Sequence, residues 1–197
     1  MTLEEKVAQT LCVWQDKGRL ILNAEGNFDP EKMAANLPNG VGQIGRPSEG
    51  IDRIKGNRTA REMAEFTNTV QRYFIEKSRL GIPVVFHEEC LHGHAAKDGT
   101  SFPQPIALAG TWDTDLIRRL FEMTALETGS RGGHQALTPV VDVARDPRWG
   151  RFEETYGEDP YLVGRMGVAA IQGFQGQGPR IDKQHMLATL KHMTGHG

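Results

Sequence analysis

The sequence predicts an α/β fold in which short buried strands alternate with amphipathic helices. Unbroken apolar runs such as Ile82-Pro-Val-Val-Phe86 are typical of strands that are buried on both faces in a parallel sheet. The order of strand, loop and helix recurs about four times, at intervals of roughly 40 to 55 residues. That spacing is wide for simple strand–helix units and indicates loops that carry insertions.

The first third of the chain predicts one helix and a long irregular region. Thr2-Leu-Glu-Glu5 has the spacing of a capping box, which opens the helix. Residues 18–57 are rich in Gly, Asn and Pro and predict loops, with one short strand at Gly40-Val-Gly-Gln-Ile-Gly45. The apolar face of the first helix is predicted to contain Leu3, Val7, Leu11 and Trp14.

Apolar periodicity and stop signals predict the remaining elements. A long helix is expected from about Thr59 to a stop at Gly81, and a second one ends near Gly129. Residues 138–143 and 186–190 predict strands. The buried positions of the two long helices are predicted to be Met63, Phe66, Val70 and Phe74, then Leu116, Leu120 and Met123.

Composition indicates one globular domain or a piece of one. The chain has 197 residues and a formal net charge of −2, so no global field attracts nucleic acid or an anionic membrane. No run approaches the roughly 20 apolar residues of a membrane span, and no basic-then-apolar leader opens the chain. Met1 stands directly before a helix, as an internal methionine of a longer protein would. Cys12 and Cys90 are expected to be free thiols.

The polar clusters of the sequence each follow a predicted strand. They occupy residues 88–94, 142–154 and 191–196. In folds built from strand–helix units, the chemistry gathers where strands end. These three segments are therefore the candidate functional segments.

The first of these segments superficially suggests a zinc site. A zinc-protease motif needs its second His four residues after the first, and this chain has Leu91 there. Histidines that hold the loop by hydrogen bonds are the simpler interpretation. Glu88 or Glu89 would suit a second role, since one carboxylate can accept from two neighbouring hydroxyls of a ligand. The metal alternative would use His87, Cys90, His92 and His94.

The second segment continues through residues 145–162 and combines arginines, carboxylates and Trp149. It is too polar for a core and too aromatic for a linker, and its side chains suit a polar, ring-shaped ligand. A solvated salt-bridge network is the other interpretation. Trp149 suits either a plug at the end of the strands or a contact with the apolar face of a sugar. At the end of the segment, Asp159 caps a predicted helix that has Pro160 in its first turn.

The third segment begins with Lys191 and His192 directly after an apolar strand. The ammonium group of Lys191 is expected to point inward at the strand terminus. Burying that charge without partners is costly, so a partnered, functional lysine is favoured over a structural one.

The sequence resembles glycoside hydrolase family 3, the β-glucosidase and β-xylosidase type, over essentially its whole length and in the order of the family's motifs. The motifs are Met1-Thr-Leu-Glu-Glu-Lys-Val7, Gly81-Ile-Pro-Val, Glu89-Cys-Leu-His-Gly93, Phe102-Pro-Gln-Pro-Ile-Ala-Leu-Ala, Asp146-Pro-Arg-Trp-Gly-Arg151, Glu154-Thr-Tyr-Gly-Glu-Asp-Pro160 and Lys191-His192 with Gly195-His196-Gly197.

The resemblance implies a partial (β/α)8 TIM-like barrel, about its first half, with residues 1–197 as the N-terminal portion of the family's barrel domain. It implies retaining hydrolysis of terminal β-linked glucosyl or xylosyl residues, without a metal or cofactor. The nucleophile and the acid/base are expected beyond Gly197, so no catalytic residue is assigned and the chain alone is expected to be inactive. The sugar-binding residues carried over are Glu89, Arg151, Lys191 and His192, with Trp149 shaping the pocket. Arg148, Glu153, Glu154 and Asp159 are expected to brace the loop.

Several alternatives stay open. The first hypothesis is part of a hydrolase. The alternatives are a non-catalytic carbohydrate-binding relative, which would keep Arg151, Lys191 and His192 but lack the nucleophile, and, within the family, a β-N-acetylglucosaminidase. Half a barrel would expose edge strands, so self-association of the chain is expected. The expected partners are β-glucoside or β-xyloside oligosaccharides, and neither nucleic acid nor a membrane. A periplasmic, secreted or cytoplasmic location is compatible with the sequence.

Overall fold

The computed structural model describes residues 1–51 and 57–195, which form two compact units. The first unit consists of Met1–Glu88, Ala96–Asp98 and Ser130–Gly133, and the second comprises Glu89–Ala95, Gly99–Gly129 and His134–Gly197. Both units contain parallel strand pairs and helices. The α/β prediction is therefore confirmed in each unit.

The described residues of the first unit form three short parallel strands. These are β1 (Cys12–Val13), β2 (Gln43–Gly45) and β3 (Val85–Glu88), with β2 paired to both neighbours. Ile44 is fully buried and aligns with Val13 on one side and Phe86 on the other. This apolar row forms the centre of the first core, as the apolar run before Phe86 predicted.

Outside residues 52–56, the first unit contains the helices α1 (Leu3–Ala8), α2 (Lys17–Leu20), α3 (Pro30–Asn36) and α4 (Ala60–Glu76). The capping box of α4 forms as predicted, with Thr59 accepting from the backbone of Glu62. The predicted buried face of α4 is confirmed in full. Its members are Met63, Phe66, Val70 and Phe74.

Two predictions for the N-terminal region are wrong. The capping box of α1 forms, but the helix ends at Ala8, and Leu3, Val7 and Leu11 are exposed. The buried polar residue of α1 is Glu5, because the guanidinium of Arg79 binds its carboxylate through two hydrogen bonds of 2.6 and 2.5 Å. Apolar spacing identifies a helix face, but it does not specify whether another element covers that face.

The region predicted as loops contains two short helices, α2 and α3, that were not expected, whereas the strand predicted at residues 40–45 is present as β2. Asp29 accepts from the backbone of Lys32 at 2.9 Å and thereby caps α3, whose first residue is Pro30. Glycine, asparagine and proline residues lie at or near the ends of these short elements, so their abundance does not exclude regular structure. Residues 52–56, which were also assigned to this loop, lie outside the described part of the chain.

The second unit contains α5 (Pro105–Ala109), α6 (Thr114–Ser130), β4 (Gln135–Ala136), a 3-10 helix (Phe152–Glu154), α7 (Pro160–Gln175) and β5 (Leu187–Ala188). Strands β4 and β5 are parallel. Their pairing continues beyond the regular strands through a bridge between Val140 and Lys191. Asp159 caps α7 by accepting from the backbone of Tyr161 at 2.8 Å, as predicted.

Two predictions for the second unit need correction. The regular strand predicted over residues 138–143 lies earlier, at β4, and the Thr138–Pro139 peptide bond that follows it is cis. The buried face of α6 includes Ile117, Leu120 and Phe121, whereas Met123 is 60% exposed. The apolar residues of α6 allow more than one buried face, and positions 116, 120 and 123 define only one of these faces. Packing against the neighbouring element determines which face is buried.

Gly173 lets α7 approach α6 closely. A Cβ atom on Gly173 would lie 2.4 Å from the backbone oxygen of Arg118 and 2.8 Å from Cβ of Phe121. The rings of Phe121 and Phe174 pack at this crossing with their centroids 4.9 Å apart.

Within the described residues, the structure contains no helix both long enough and apolar enough to cross a bilayer.

Two glycine substitutions on α7 test the close crossing of α6 and α7. Gly173→Ala is expected to destabilise the chain by about 1–3 kcal/mol, because a methyl group must displace backbone atoms. Gly164→Ala, on the same helix with nothing within 4 Å, is expected to stabilise it by about 0.5–1 kcal/mol. Urea unfolding of the two variants measures the change in the free energy of unfolding, which is expected to have opposite signs. Stabilisation by both substitutions would contradict the tight crossing.

Candidate active site

The carboxyl ends of two paired segments in the second unit bring Asp142 and His192 together. The backbone N–H of Val141 donates to the carbonyl of Lys191 at 2.9 Å, so the next residue of each segment extends from the same end of the pairing. The carboxylate oxygen Oδ2 of Asp142 lies 2.7 Å from Nδ1 of His192 and 3.2 Å from its backbone nitrogen. The Lys191–His192 peptide bond is cis. The two residues, 50 positions apart, thus form one pair.

Lys191 and Glu89 form the second pair of the site. The ammonium nitrogen of Lys191 lies 3.0 Å from Oε2 and 3.4 Å from Oε1 of Glu89. The side chains are 16% and 24% exposed, so the pair is sheltered but reachable from solvent. The predicted partner for the lysine charge is therefore present.

Arg151 links these pairs to the segment that follows the strand. Its Nε and Nη2 donate to the two carboxylate oxygens of Glu154 at 2.8 and 2.6 Å, and its Nη1 lies 3.2 Å from Nε2 of His192. The Arg151 guanidinium holds the pKa of Glu154 below its usual value, although partial burial opposes the shift. Hydrogen bonding to Glu154 raises the pKa of Arg151, and the negative charges of Glu89 and Asp142 add to that effect. The cluster is thus a mutually paired set of cations and carboxylates.

Four of the predicted site residues therefore lie in one cluster, and Trp149 lies close to it in sequence. Trp149 is half-buried in the turn before the 3-10 helix, two residues before Arg151. Its predicted contact with a sugar stays a prediction. Arg148 belongs elsewhere: its side chain is 89% exposed and bound to Asp146, with a shortest contact of 2.6 Å.

The predicted bracing role holds for only some of the residues named for it. Glu154 holds Arg151, and Asp159 caps α7. Arg148 binds Asp146 instead of Glu153, Glu154 or Asp159. The guanidinium of Arg148 binds Asp146, two positions earlier in the chain. The spacing of the carboxylates along the sequence does not specify which of them an arginine binds.

A cavity of about 330 Å³ adjoins the Asp142–His192 pair. Its size lies at the lower end of the range of roughly 300 to 1,000 Å³ that is typical of ligand pockets. Its lining consists of Val141, Asp142, Val143, Arg145, His192, Thr194 and Gly195. Space for a small polar molecule is therefore present beside the cluster.

The metal alternative finds no support among the described residues, where no three His, Cys, Asp or Glu side chains are arranged to hold an ion. Nδ1 of His92 lies 3.1 Å from the carbonyl of Phe102, and the thiol of Cys90 lies 3.6 Å from the hydroxyl of Thr128. His92 thus holds its loop by a hydrogen bond, the simpler of the two roles weighed from the sequence.

The structure also separates the roles of Glu88 and Glu89. The Glu88 side chain is fully buried in the first unit, where its carboxylate accepts from the backbone and the hydroxyl of Ser48 at 2.8 and 3.0 Å. Glu89 is the partly exposed carboxylate that a ligand can reach. Of the two candidates, Glu89 alone fits a sugar-binding role.

Glu88 belongs to a buried polar network around Lys17. The ammonium group of Lys17 donates to the carbonyls of Gly45 and Arg46, both at 2.8 Å, and lies 3.8 Å from the carboxylate of Glu49. Burial lowers the pKa of Lys17 to about 8, while the negative charges of Glu49 and Glu88 oppose that shift. Because the ammonium group of Lys17 binds two carbonyls of this loop and lies beside a carboxylate, the network holds the loop after β2 in place.

Sequence reasoning missed three residues of these clusters as partners. Asp142 was predicted only as the first residue of the segment 142–154, and Glu154 only as a brace of the loop. The position of Asp142 directly after the paired residue Val141 was the available signal. Lys17 had no such signal, because it precedes a glycine-rich region that predicts loops.

Parallel strands whose carboxyl ends carry charged side chains define a domain of the βα type, the class in which enzyme sites form at that end. The chain belongs to glycoside hydrolase family 3. The family model described as "Glycosyl hydrolase family 3 N terminal domain" matches residues 2–197.

Relatives and solved structures agree with this membership. The chain is 46% identical over 125 residues, 60% of its length, to a β-xylosidase of Formosa agariphila, and 31% identical over its whole length to β-glucosidase C of Emericella nidulans. Its structure matches that of the β-glucosidase EmGH1 from Erythrobacter marinus with a TM-score of 0.84 and 34% identity over 98% of the chain. This match confirms the predicted fold class, a partial (β/α)8-type barrel. The chain spans only 17%, 31% and 24% of the lengths of these three proteins.

The lowered pKa of Lys17 predicts a specific pH dependence of stability. Because the pKa is about 8 in the folded chain and roughly 10.4 in an unfolded one, the unfolded state binds the proton more tightly. The contribution of Lys17 to stability is therefore lowest below about pH 8 and rises as the pH increases towards about 10.4. Lys17→Met is expected to remove this rise, as measured by urea unfolding between pH 7 and 10.

Lys32→Met is the control for this measurement. Lys32 also donates to two carbonyls, those of Gly18 and Leu22, both at 2.7 Å, but its substitution leaves Lys17 in place. The rise should therefore persist in Lys32→Met. Parallel stability curves for wild type and Lys17→Met would show that Lys17 is not the group responsible.

Proposed function

We propose that this chain provides the wall that binds the terminal sugar in a retaining β-glycosidase acting on terminal β-linked glucosyl or xylosyl residues. The observation that carries the proposal is the cluster in which Glu89, Lys191, Arg151 and His192 come together. The names of the relatives, β-xylosidase and β-glucosidase, support the class of substrate. Half-buried Trp149 is proposed to shape the pocket.

The chemistry of the cluster suits a sugar. Each hydroxyl group of a sugar both donates and accepts a hydrogen bond. Glu89 offers carboxylate oxygens that accept, and Lys191 offers ammonium N–H groups that donate, about 3 Å away. Neighbouring hydroxyls can therefore bridge this pair without leaving either charge unsatisfied, and charge-assisted bonds of this type are the stronger ones.

The chain is proposed to bind the sugar without cleaving it. Retaining hydrolysis requires two carboxyl groups about 5–5.5 Å apart, one that attacks the sugar and one that protonates the leaving oxygen. In the described part of the chain, Glu89, Asp142 and Glu154 are bound to Lys191, His192 and Arg151 respectively. The resemblance to the family implied that the nucleophile and the acid/base lie beyond Gly197. The reacting carboxylates are therefore proposed to come from outside residues 1–197.

A non-catalytic carbohydrate-binding protein is the second candidate considered from the sequence. It would keep the same cluster, and the cluster alone does not distinguish the two functions. The relatives with names that describe activity are glycosidases, which favours the hydrolase.

The binding role of Arg151 is tested by a pair of arginine substitutions in one segment. Arg151→Lys is expected to weaken the binding of D-glucose or D-xylose about tenfold or more, because lysine cannot keep the two-pronged contact that orients the guanidinium. NMR titration of the 197-residue chain with each sugar measures the affinities. Arg148→Lys, which alters an exposed arginine with a similar two-pronged contact, should change them less than twofold. Equal effects of the two substitutions would argue against the proposed site.

The absence of cleavage is tested directly. We expect the purified chain to release no 4-nitrophenol above background from 4-nitrophenyl β-glucoside or β-xyloside, because the two reacting carboxylates are proposed to lie elsewhere. Absorbance at high protein concentration provides the measurement. Turnover that disappears in Glu89→Gln or Asp142→Asn would show that the chemistry lies within this chain.

A further inference from the structure

The two nitrogens of the His192 ring have partners of opposite character. Nδ1 lies 2.7 Å from a carboxylate oxygen of Asp142, and Nε2 lies 3.2 Å from Nη1 of Arg151. An ionised carboxylate only accepts hydrogen bonds, and a guanidinium only donates them. The ring therefore carries its proton on Nδ1 and presents a lone pair on Nε2.

This arrangement changes the role expected for His192. The resemblance to the family implied that His192 binds the sugar directly, but here its Nε2 accepts from Arg151. Arg151 is consequently held from two directions, by the carboxylate of Glu154 and by the imidazole of His192. These contacts use three of its five N–H groups. In the described residues the other two have no protein acceptor, and the Arg151 side chain is 39% exposed.

We propose that Asp142 is a positioning residue that acts through His192 to orient Arg151 towards the sugar. The Asp142 side chain is only 1% exposed, and its closest contact is with the ring of His192, so it is placed to act through that neighbour. One oxygen of its carboxylate accepts from both the ring and the backbone of His192. It thereby sets the position of the proton on the ring, and with it the ability of Nε2 to accept from Arg151. This proposal rests on the proposed sugar-binding function.

The energetic reason is the mismatch that the other tautomer would create. With the proton on Nε2, an N–H group would face the N–H groups of Arg151, and two donors cannot form a hydrogen bond. The guanidinium would have to move, although Glu154 would still hold its other side. A purely structural role for Asp142 would instead lower stability without moving the proton on the His192 ring.

The first test measures the proton itself. We compare the 197-residue chain with Asp142→Asn and with the control Asp146→Asn, which alters the exposed partner of Arg148. The ¹⁵N NMR signals of the imidazole, assigned by their loss in His192→Gln, report which nitrogen is protonated. We expect Nδ1 in wild type and in the control, and Nε2 in Asp142→Asn, because an asparagine amide can donate to Nδ1.

The second test measures sugar affinity in the same proteins. Asp142→Asn is expected to weaken the binding of D-glucose or D-xylose about tenfold or more, while Asp146→Asn stays within twofold of wild type. A proton on Nε2 in wild type, or unchanged affinity in Asp142→Asn, would overturn the proposal. If wild type binds neither sugar, the proposed function fails, and the ring measurement still decides whether Asp142 sets the proton.

A second pair of variants decides the matter if Asp142→Asn does not fold. His192→Gln keeps an oxygen that can accept near the position of Nε2, whereas His192→Leu does not. We expect both variants to bind the sugars more weakly than wild type, the glutamine variant by a few-fold and the leucine variant by about tenfold or more. Equal losses in both variants would show that acceptance from Arg151 is not the function of this ring.

Discussion

The register of the pairing beyond β4 and β5 is the constraint on which the candidate site depends. Val140 bridges to Lys191 in parallel, so Asp142 and His192 extend from neighbouring segment ends. Parallel pairing requires a crossover between the two segments, and α7 provides it. A slip of one residue would turn the side chains of one segment to the opposite face. The Asp142–His192 contact would then be lost, and the acceptor of Arg151 with it.

The two charged clusters of the chain use the same residue types for different purposes. Around Lys17, the cation is 3% exposed and its donors are taken by backbone carbonyls, which leaves little to offer a ligand. Around Arg151 the partners are side chains that are partly open to solvent, with the guanidinium itself 39% exposed. A charge that is paired but still reachable can exchange part of its hydrogen bonding for a sugar hydroxyl at little cost in desolvation. Exposure therefore separates the network that holds a loop from the one suited to binding.

Much of the architecture could be predicted because local patterns and tertiary packing agree in those places. Helix α4 has a capping box and an apolar face that is fully covered, and α7 has an aspartate cap with proline in its first turn. The predictions failed where the local apolar pattern was compatible with more than one packing arrangement. The apolar residues of α1 mark a helix face that lies exposed, and α6 buries a stripe next to the predicted one because Phe121 meets Phe174. Periodicity gives the direction of a face, whereas only the neighbouring element determines whether it is buried.

The sequence by itself determined the family, the α/β fold class and four of the residues of the clustered site, since motif order and strand-end placement are properties of the chain. It did not determine the partners of those residues. Only the tertiary structure decided that Glu89 and not Glu88 is reachable, that Arg148 binds Asp146, and that Nε2 of His192 lies beside the guanidinium of Arg151. The physical reason is that a hydrogen bond depends on distance and on which atom carries the proton. Both are set by segments that lie far apart in the sequence and meet only in the fold.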